Sequence, residues 1–94
     1  MRCAKPLFIL GQIVATPGAI DVLTRANQDP HDFLNRHVGG EWGELGNEDK
    51  AENDYSLQHG FRILSSYVTV AGEKLWVITE ADRSATTLLL PEEY

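Results

Sequence analysis

The segment 80–84, EADRS, places two acids, an arginine and a serine between two apolar stretches of the chain. In an active site, Arg83 would hold an anion and a neighbouring acid would act as the general base. In a turn, the Asp and Ser side chains would bond to nearby backbone groups, and Arg83 would pair with Glu80 or Asp82 on the surface. We favour the turn, because the flanking strands need a reversal within about four residues.

A second possible catalytic set consists of His59, Arg62 and Arg83. Some small ribonucleases combine a histidine, an arginine that holds phosphate and an acid around a small antiparallel sheet, which is an analogy at the level of the fold. The acidic balance of the chain and its shortage of lysines to hold RNA argue against this reading. We therefore keep a small ribonuclease or toxin-like enzyme as the alternative hypothesis. Common nucleotide-binding, nucleophile-elbow and zinc-protease motifs do not occur in the sequence.

The glycine-rich loop GGEWGELG, residues 39–46, places Trp42 beside Glu41 and Glu44. A tryptophan in this setting can anchor an interface with another protein. It can also act as a hydrophobic plug that pins the loop to the core, and we favour the plug. His37 lies at helical spacing from Phe33, which indicates a part-buried histidine.

Negative charge is concentrated in the middle of the chain, whose net charge is −6. The segment 41–54 holds six of the fourteen acids and one base, Lys50. This segment repels nucleic acid, and no basic stripe occurs elsewhere, so a protein with a basic surface is the more natural partner. The predicted binding surface is the acidic helix 47–58 with the Trp42 loop, and its candidate residues are Trp42, Glu44, Glu48, Asp49, Glu52 and Arg83.

Length and composition predict a single domain over residues 1–94. The lone Cys3 allows no internal disulfide and no cysteine-based zinc site, and the spacing of the three histidines argues against a metal site; we predict no cofactor. No apolar run approaches the roughly 18 residues of a membrane span. The N-terminus resembles a secretory signal, but Gly11 and Gln12 interrupt its apolar run, so we expect a cytoplasmic protein.

The N-terminal half predicts one strand followed by two or three short helices. Residues 7–14 read as the strand. Thr16 and Asp29 are expected to cap the first two helices, each with a proline at the first helical position. Asn47 is expected to cap the third helix. Ala51, Tyr55 and Gln58 lie on one stripe of this helix, so we expect it to bury little.

The C-terminal third changes to a period of two, which predicts a three-stranded antiparallel meander with turns at 71–72 and 82–83. The fold class is therefore α+β. The N-terminal strand either pairs with that sheet or forms a separate edge. In the middle strand, Trp76 and Ile78 alternate with Leu75 and Val77, so both faces are apolar. This pattern predicts packing on both faces or a homodimer.

Three segments, LGQIVATPGAI, FLNRHVGGEWGEL and RILSSYVTVAGEKLWVITEADRSATTLLLPEEY, resemble a family of small proteins from bacterial plasmids and integrated mobile elements, labelled plasmid-related. The resemblance covers almost the whole chain. It implies a cytoplasmic accessory role in the biology of a mobile element, and it implies no activity and no catalytic residues. Our leading hypothesis is a non-enzymatic interaction protein, in a specific version an acidic inhibitor of a host defence or nucleic-acid enzyme.

Overall fold

A computed structural model describes residues 6–94 as an α+β fold, which confirms the predicted class. Cys3 and the start of the signal-like segment lie outside these residues. The strands are β1 (Gln12–Ala15), β2 (Ile63–Val68), β3 (Lys74–Thr79) and β4 (Ala85–Leu89), and the helices are α1 (Pro17–Ala26), α2 (Pro30–Val38) and α3 (Asn47–His59), followed by a short 3-10 turn (Pro91–Glu93). None of these helices is long and apolar enough to cross a bilayer.

The four strands form one sheet in the order β1-β4-β3-β2. The pairs β2–β3 and β3–β4 are antiparallel, which confirms the meander. β1 joins β4 in parallel, so the sheet is mixed and the N-terminal strand pairs with it. β1 begins at Gln12, later than expected, because Gly11 adopts φ +67° where the chain passes close to the backbone of Ser84.

Local sequence signals set the starts of α1 and α2. The side chains of Thr16 and Asp29 accept the expected backbone hydrogen bonds, and each helix has proline in its first turn. The expected cap of α3 is wrong: Asn47 is the first helical residue, and Gly46 occupies the cap position with no side-chain hydrogen bond. The first turn of α3 carries Glu48 and Asp49 instead, where the helix dipole favours negative charge.

The main core lies between one face of the sheet and helices α1 and α2. Alternation along the strands points every second side chain towards these helices. Leu75 and Val77 of β3 are fully buried on this face. The remaining core residues are Ala19, Leu23, Phe33, Leu34, Tyr67 and Leu88.

The opposite face of the sheet is partly covered by the C-terminus of the same chain. Ile78 and Leu89 on this face are 4% and 7% exposed. Trp76 is half-buried and contacts Tyr94 edge-on, with 5.8 Å between ring centroids. Glu93 accepts a hydrogen bond from the Thr16 hydroxyl and so ties the 3-10 turn to the start of α1. Apolar packing thus occurs on both faces, and the homodimer stays a prediction.

Candidate functional site

Helix α3 is attached to the edge of the sheet by polar contacts. Asn53, which is 5% exposed, accepts from the N–H of Leu64 (3.2 Å) and donates to its C=O (2.6 Å). The other buried residue of this helix is Ser56, which is 8% exposed. Ala51, Tyr55 and Gln58 are exposed, and the expectation that this helix buries little is confirmed. An inward polar asparagine satisfies the edge backbone of β2, and hydrophobic periodicity does not reveal such a contact.

The outer side of α3 carries two acids and two aromatic rings in one line. Glu48, Glu52, Tyr55 and His59 are spaced by four, three and four residues, which places them on one helical face. All four are exposed. Among residues 6–94, neither acid has an ion-pair partner, since the salt bridges involve only Arg25, His31 and Arg36 as cations. The predicted binding residues Glu48 and Glu52 thus lie together on one face of the helix, where their unpaired carboxylates make the surface negative.

The aromatic part of this face is a stack. The Tyr55 and His59 rings are stacked with centroids 4.1 Å apart, and the Phe61 ring lies parallel to Tyr55 at 6.0 Å. Tyr55 and Phe61 are 56% and 52% exposed. Exposed large rings beside carboxylates can bind cations on their π-faces. We call Glu48, Glu52, Tyr55, His59 and Phe61 the acidic–aromatic face. Sequence reasoning missed its aromatic half, for which the signal is the four-residue spacing of Tyr55 and His59.

Asp49 extends the acidic surface sideways from the same helix. It is exposed and lines a shallow open depression with Glu48, Glu52, Ala51 and Tyr55. The depression has no enclosing wall from another element, which suits contact with a protein surface better than capture of a small molecule.

Trp42 lies inside the molecule. Its side chain is 4% exposed, stacks on Phe8 with centroids 6.4 Å apart and meets His37 edge-on at 5.9 Å. The indole N–H donates to an Asp54 carboxylate oxygen at 3.3 Å. Trp42 therefore acts as the plug that joins the glycine-rich loop to α3. Its ring is not presented to a partner, which corrects its place among the predicted binding residues.

The glycine-rich loop closes the rest of the β2 edge. The N–H of Ser66 donates to the C=O of Trp42, and the N–H of Glu44 donates to the C=O of Ser66. Gly43, at φ +81°, is required here, because an added Cβ would lie 2.0 Å from the Ser66 oxygen. The Glu44 side chain is left exposed on this loop.

His37 belongs to a buried chain of hydroxyl groups. Its Nδ1 lies 2.5 Å from Ser65 Oγ, and its Nε2 lies 2.9 Å from Thr79 Oγ1. All three residues are fully buried, and burial lowers the pKa of His37 to about 4. The pair of a serine and a histidine resembles a nucleophile with its base, but no reactant can reach it.

The direction of the hydrogen bonds fixes the tautomer of His37. Thr86 uses its only hydroxyl proton to donate to the C=O of Leu10 (2.7 Å), so Thr79 must donate to Thr86 (2.7 Å). His37 Nε2 must then donate to Thr79. Because the ring is neutral, Nδ1 is an acceptor, and the Ser65 hydroxyl donates to it. Each hydroxyl proton of Ser65, Thr79 and Thr86 therefore has a defined acceptor.

The segment 80–84 is a hairpin turn. The N–H of Arg83 donates to the C=O of Glu80 at 2.9 Å, and the N–H of Ser84 donates to the Asp82 side chain at 3.0 Å. Arg83 adopts φ +61°, a left-handed conformation that non-glycine residues rarely take outside turns. The interpretation of this segment as a turn between two strands is therefore confirmed.

The Arg83 guanidinium is held by backbone carbonyl groups. Nη1 donates to Phe61 (2.8 Å), Glu80 (3.1 Å) and Ala81 (3.1 Å), and Nη2 donates to Ser56 at the end of α3 (3.2 Å). The expected pairing of Arg83 with an acid is therefore wrong. The guanidinium group donates to carbonyls of the turn, of Phe61 and of α3. This side chain therefore holds α3 against the β3–β4 hairpin.

The alternative catalytic set is divided among different contacts. His59 stacks on Tyr55, Arg62 lies over the Tyr94 ring at 5.3 Å, and Arg83 binds the carbonyls of the turn and of α3. Each of the three side chains is thus engaged in a contact of its own. Over residues 6–94, no group of three or more His, Cys, Asp or Glu side chains could hold a metal ion.

Comparison of the chain with family models, with curated proteins and with solved structures gave no match.

Proposed function

We propose that this chain is a non-enzymatic, cytoplasmic interaction protein, and that its acidic–aromatic face binds a partner protein through a basic surface. The setting implied by the resemblance is an accessory role in a bacterial mobile element. The observation that carries the proposal is the combination on α3 of unpaired acids and exposed stacked rings on one helical face.

The construction of α3 supports a role in recognition. The helix is held by Asn53, by the Asp54–Trp42 contact and by the Arg83 clamp, so its attachment does not depend on the outer acids Glu48 and Glu52. A helix that is already held in place loses little backbone entropy on binding. The outer face is therefore available for contact with another molecule.

The chemistry of this face favours arginine on the partner. A guanidinium group can lie against the aromatic stack, on a ring face that His59 does not cover, while it donates to the Glu52 carboxylate one turn earlier on the helix than Tyr55. Nucleic-acid enzymes present such arginines to phosphates. A specific form of the proposal follows: the face imitates nucleic acid and inhibits a host defence or nucleic-acid enzyme.

The ribonuclease alternative receives no support from the arrangement. Arg83 would need to release its carbonyl acceptors to hold phosphate, and His37 is sealed in the core. His59 and Arg62 make contacts with separate aromatic rings.

A defined cationic probe tests the chemistry of the face. We expect a fluorescein-labelled peptide of alternating arginine and alanine to bind the wild type, as measured by fluorescence anisotropy. The double variant Glu48→Gln/Glu52→Gln should bind roughly tenfold more weakly, since each exposed charge contributes up to about 1 kcal/mol. Tyr55→Ala should also weaken binding, because the cation loses its π-face.

The matched control removes the same charge elsewhere. Asp21→Asn/Glu92→Gln changes two exposed acids on α1 and the 3-10 turn. We expect this variant to bind like the wild type at about 0.15 M salt, where long-range attraction is screened. Equal weakening in both double variants would show that only net charge matters, and the proposed face would be rejected.

A further inference from the structure

The outer edge of β1 carries backbone groups that no element in residues 6–94 pairs with. β1 is the terminal strand of the sheet. The N–H groups of Gln12 and Thr16 donate to carbonyls on the β4 side. Because peptide groups alternate along a strand, the N–H and C=O of Ile13 and Ala15 point away from the sheet. Such a row of free donors and acceptors is a template for another strand.

The side chains along this edge are apolar and accessible. Ile13 is 44% exposed, Val14 is 42% exposed, and Ile20 of the adjoining helix is 52% exposed. By contrast, the β2 edge is closed by Asn53 and by the loop around Gly43. The β2 edge of the sheet is thus closed by other parts of the chain, and the β1 edge is open within residues 6–94.

The charge distribution indicates which partner strand can pair with the β1 edge. Residues 6–20 contain no charged side chain, although exposed sheet edges usually carry lysine or another charge that prevents pairing. The acids of segment 41–54 lie at the other edge, where α3 packs on β2. Two copies of a chain with net charge −6 repel least when they meet through this neutral edge.

We propose that β1 pairs with β1 of a second copy, antiparallel and across a two-fold axis, to form a continuous eight-stranded sheet. In the register that uses all the outward groups, Ile13 lies opposite Ala15 of the second copy, and Val14 lies opposite its own counterpart. The closed β2 edges then stop assembly at two copies. This inference is independent of the proposed function, since the acidic–aromatic faces lie on the far sides of the dimer.

Two measurements test the dimer. In sedimentation equilibrium, the wild-type mass should rise with concentration from 10.5 kDa towards twice that value, as expected for a small interface. Val14→Lys should stay at 10.5 kDa, and Val70→Lys, at a side chain that is 78% exposed in the β2–β3 turn, should associate like the wild type. Circular dichroism verifies that each variant is folded.

Cysteine cross-linking tests the register. In a Cys3→Ser background, Val14→Cys should oxidise to a disulfide-linked dimer, because directly opposed residues have the Cβ separation that a disulfide needs. Val70→Cys is the control and should remain uncross-linked under the same oxidant. A wild type that stays monomeric at every concentration overturns the proposal, as does a dimer that survives Val14→Lys or cross-links equally well through Val70→Cys. Binding of a strand from another protein by a strictly monomeric chain also overturns it.

Discussion

The His37 side chain extends from α2 to the sheet, and both of its ring nitrogens are bonded to hydroxyl groups. A protonated ring would make Nδ1 a donor and would reverse the Ser65 hydrogen bond. Arg83 likewise has the chemistry of a catalytic group, and its Nη1 and Nη2 atoms donate to backbone carbonyls. At the scale of the residue, His37 and Arg83 thus stabilise the fold, and the exposed acids Glu48 and Glu52 on α3 have no ion-pair partner within residues 6–94.

The pH dependence of stability follows from His37. Its pKa is about 4 in the folded chain and 6.5 in the unfolded chain, so between these values only the unfolded chain binds the proton. The free energy of unfolding should therefore have its highest value above pH 6.5. It should fall by about 3 kcal/mol as the pH is lowered towards 4. Urea unfolding at several pH values measures this change. His37→Gln should be less stable at neutral pH and should lose most of the slope; a wild type with the same slope as this variant would contradict the assignment.

At the scale of the element, the sequence predicts structure best where the determining contacts are local. The caps at Thr16 and Asp29 and the turn at 82–83 depend on groups within a few residues. The inward side of α3 depends on Asn53 meeting a strand edge eleven residues away, and hydrophobic periodicity carries no sign of it. The burial of Trp42 and the carbonyl clamp around Arg83 also depend on distant segments. The sequence therefore predicts the acids of the candidate site, and the fold is needed to show the aromatic rings beside them.

The attachment of α3 gives a prediction about Asn53. Asn53→Ala should lower the free energy of unfolding by about 2–3 kcal/mol, because the N–H and C=O of Leu64 lose their partners in a part-buried position. Urea unfolding measures the loss, and hydrogen exchange should be faster across α3 than across α1. Asn35→Ala is the control, since Asn35 is exposed on α2 and should cost under about 0.5 kcal/mol. Equal effects of the two substitutions would contradict the role of Asn53.

At the scale of the whole molecule, three surfaces have different characters. The acidic–aromatic face lies on α3 beside β2, the neutral edge lies on β1 at the other end of the sheet, and the C-terminus covers part of the second sheet face. The parallel pairing of β1 with β4 creates this polarity, and it joins segments more than seventy residues apart. No local pattern specifies that pairing. One edge can therefore meet a second copy while the other meets a partner.

The most direct test of the central claim is an affinity pulldown from the native host with matched variants. We expect a partner protein to be retained by the wild type and by Asp21→Asn/Glu92→Gln, and to be lost with Glu48→Gln/Glu52→Gln, because binding depends on the acids of α3 and not on net charge. The same preparations are assayed for RNA cleavage. Retention of the same partner by both double variants would contradict the proposed face. RNA cleavage by the wild type that disappears in folded His59→Ala and Arg83→Lys variants would replace the interaction protein with a ribonuclease.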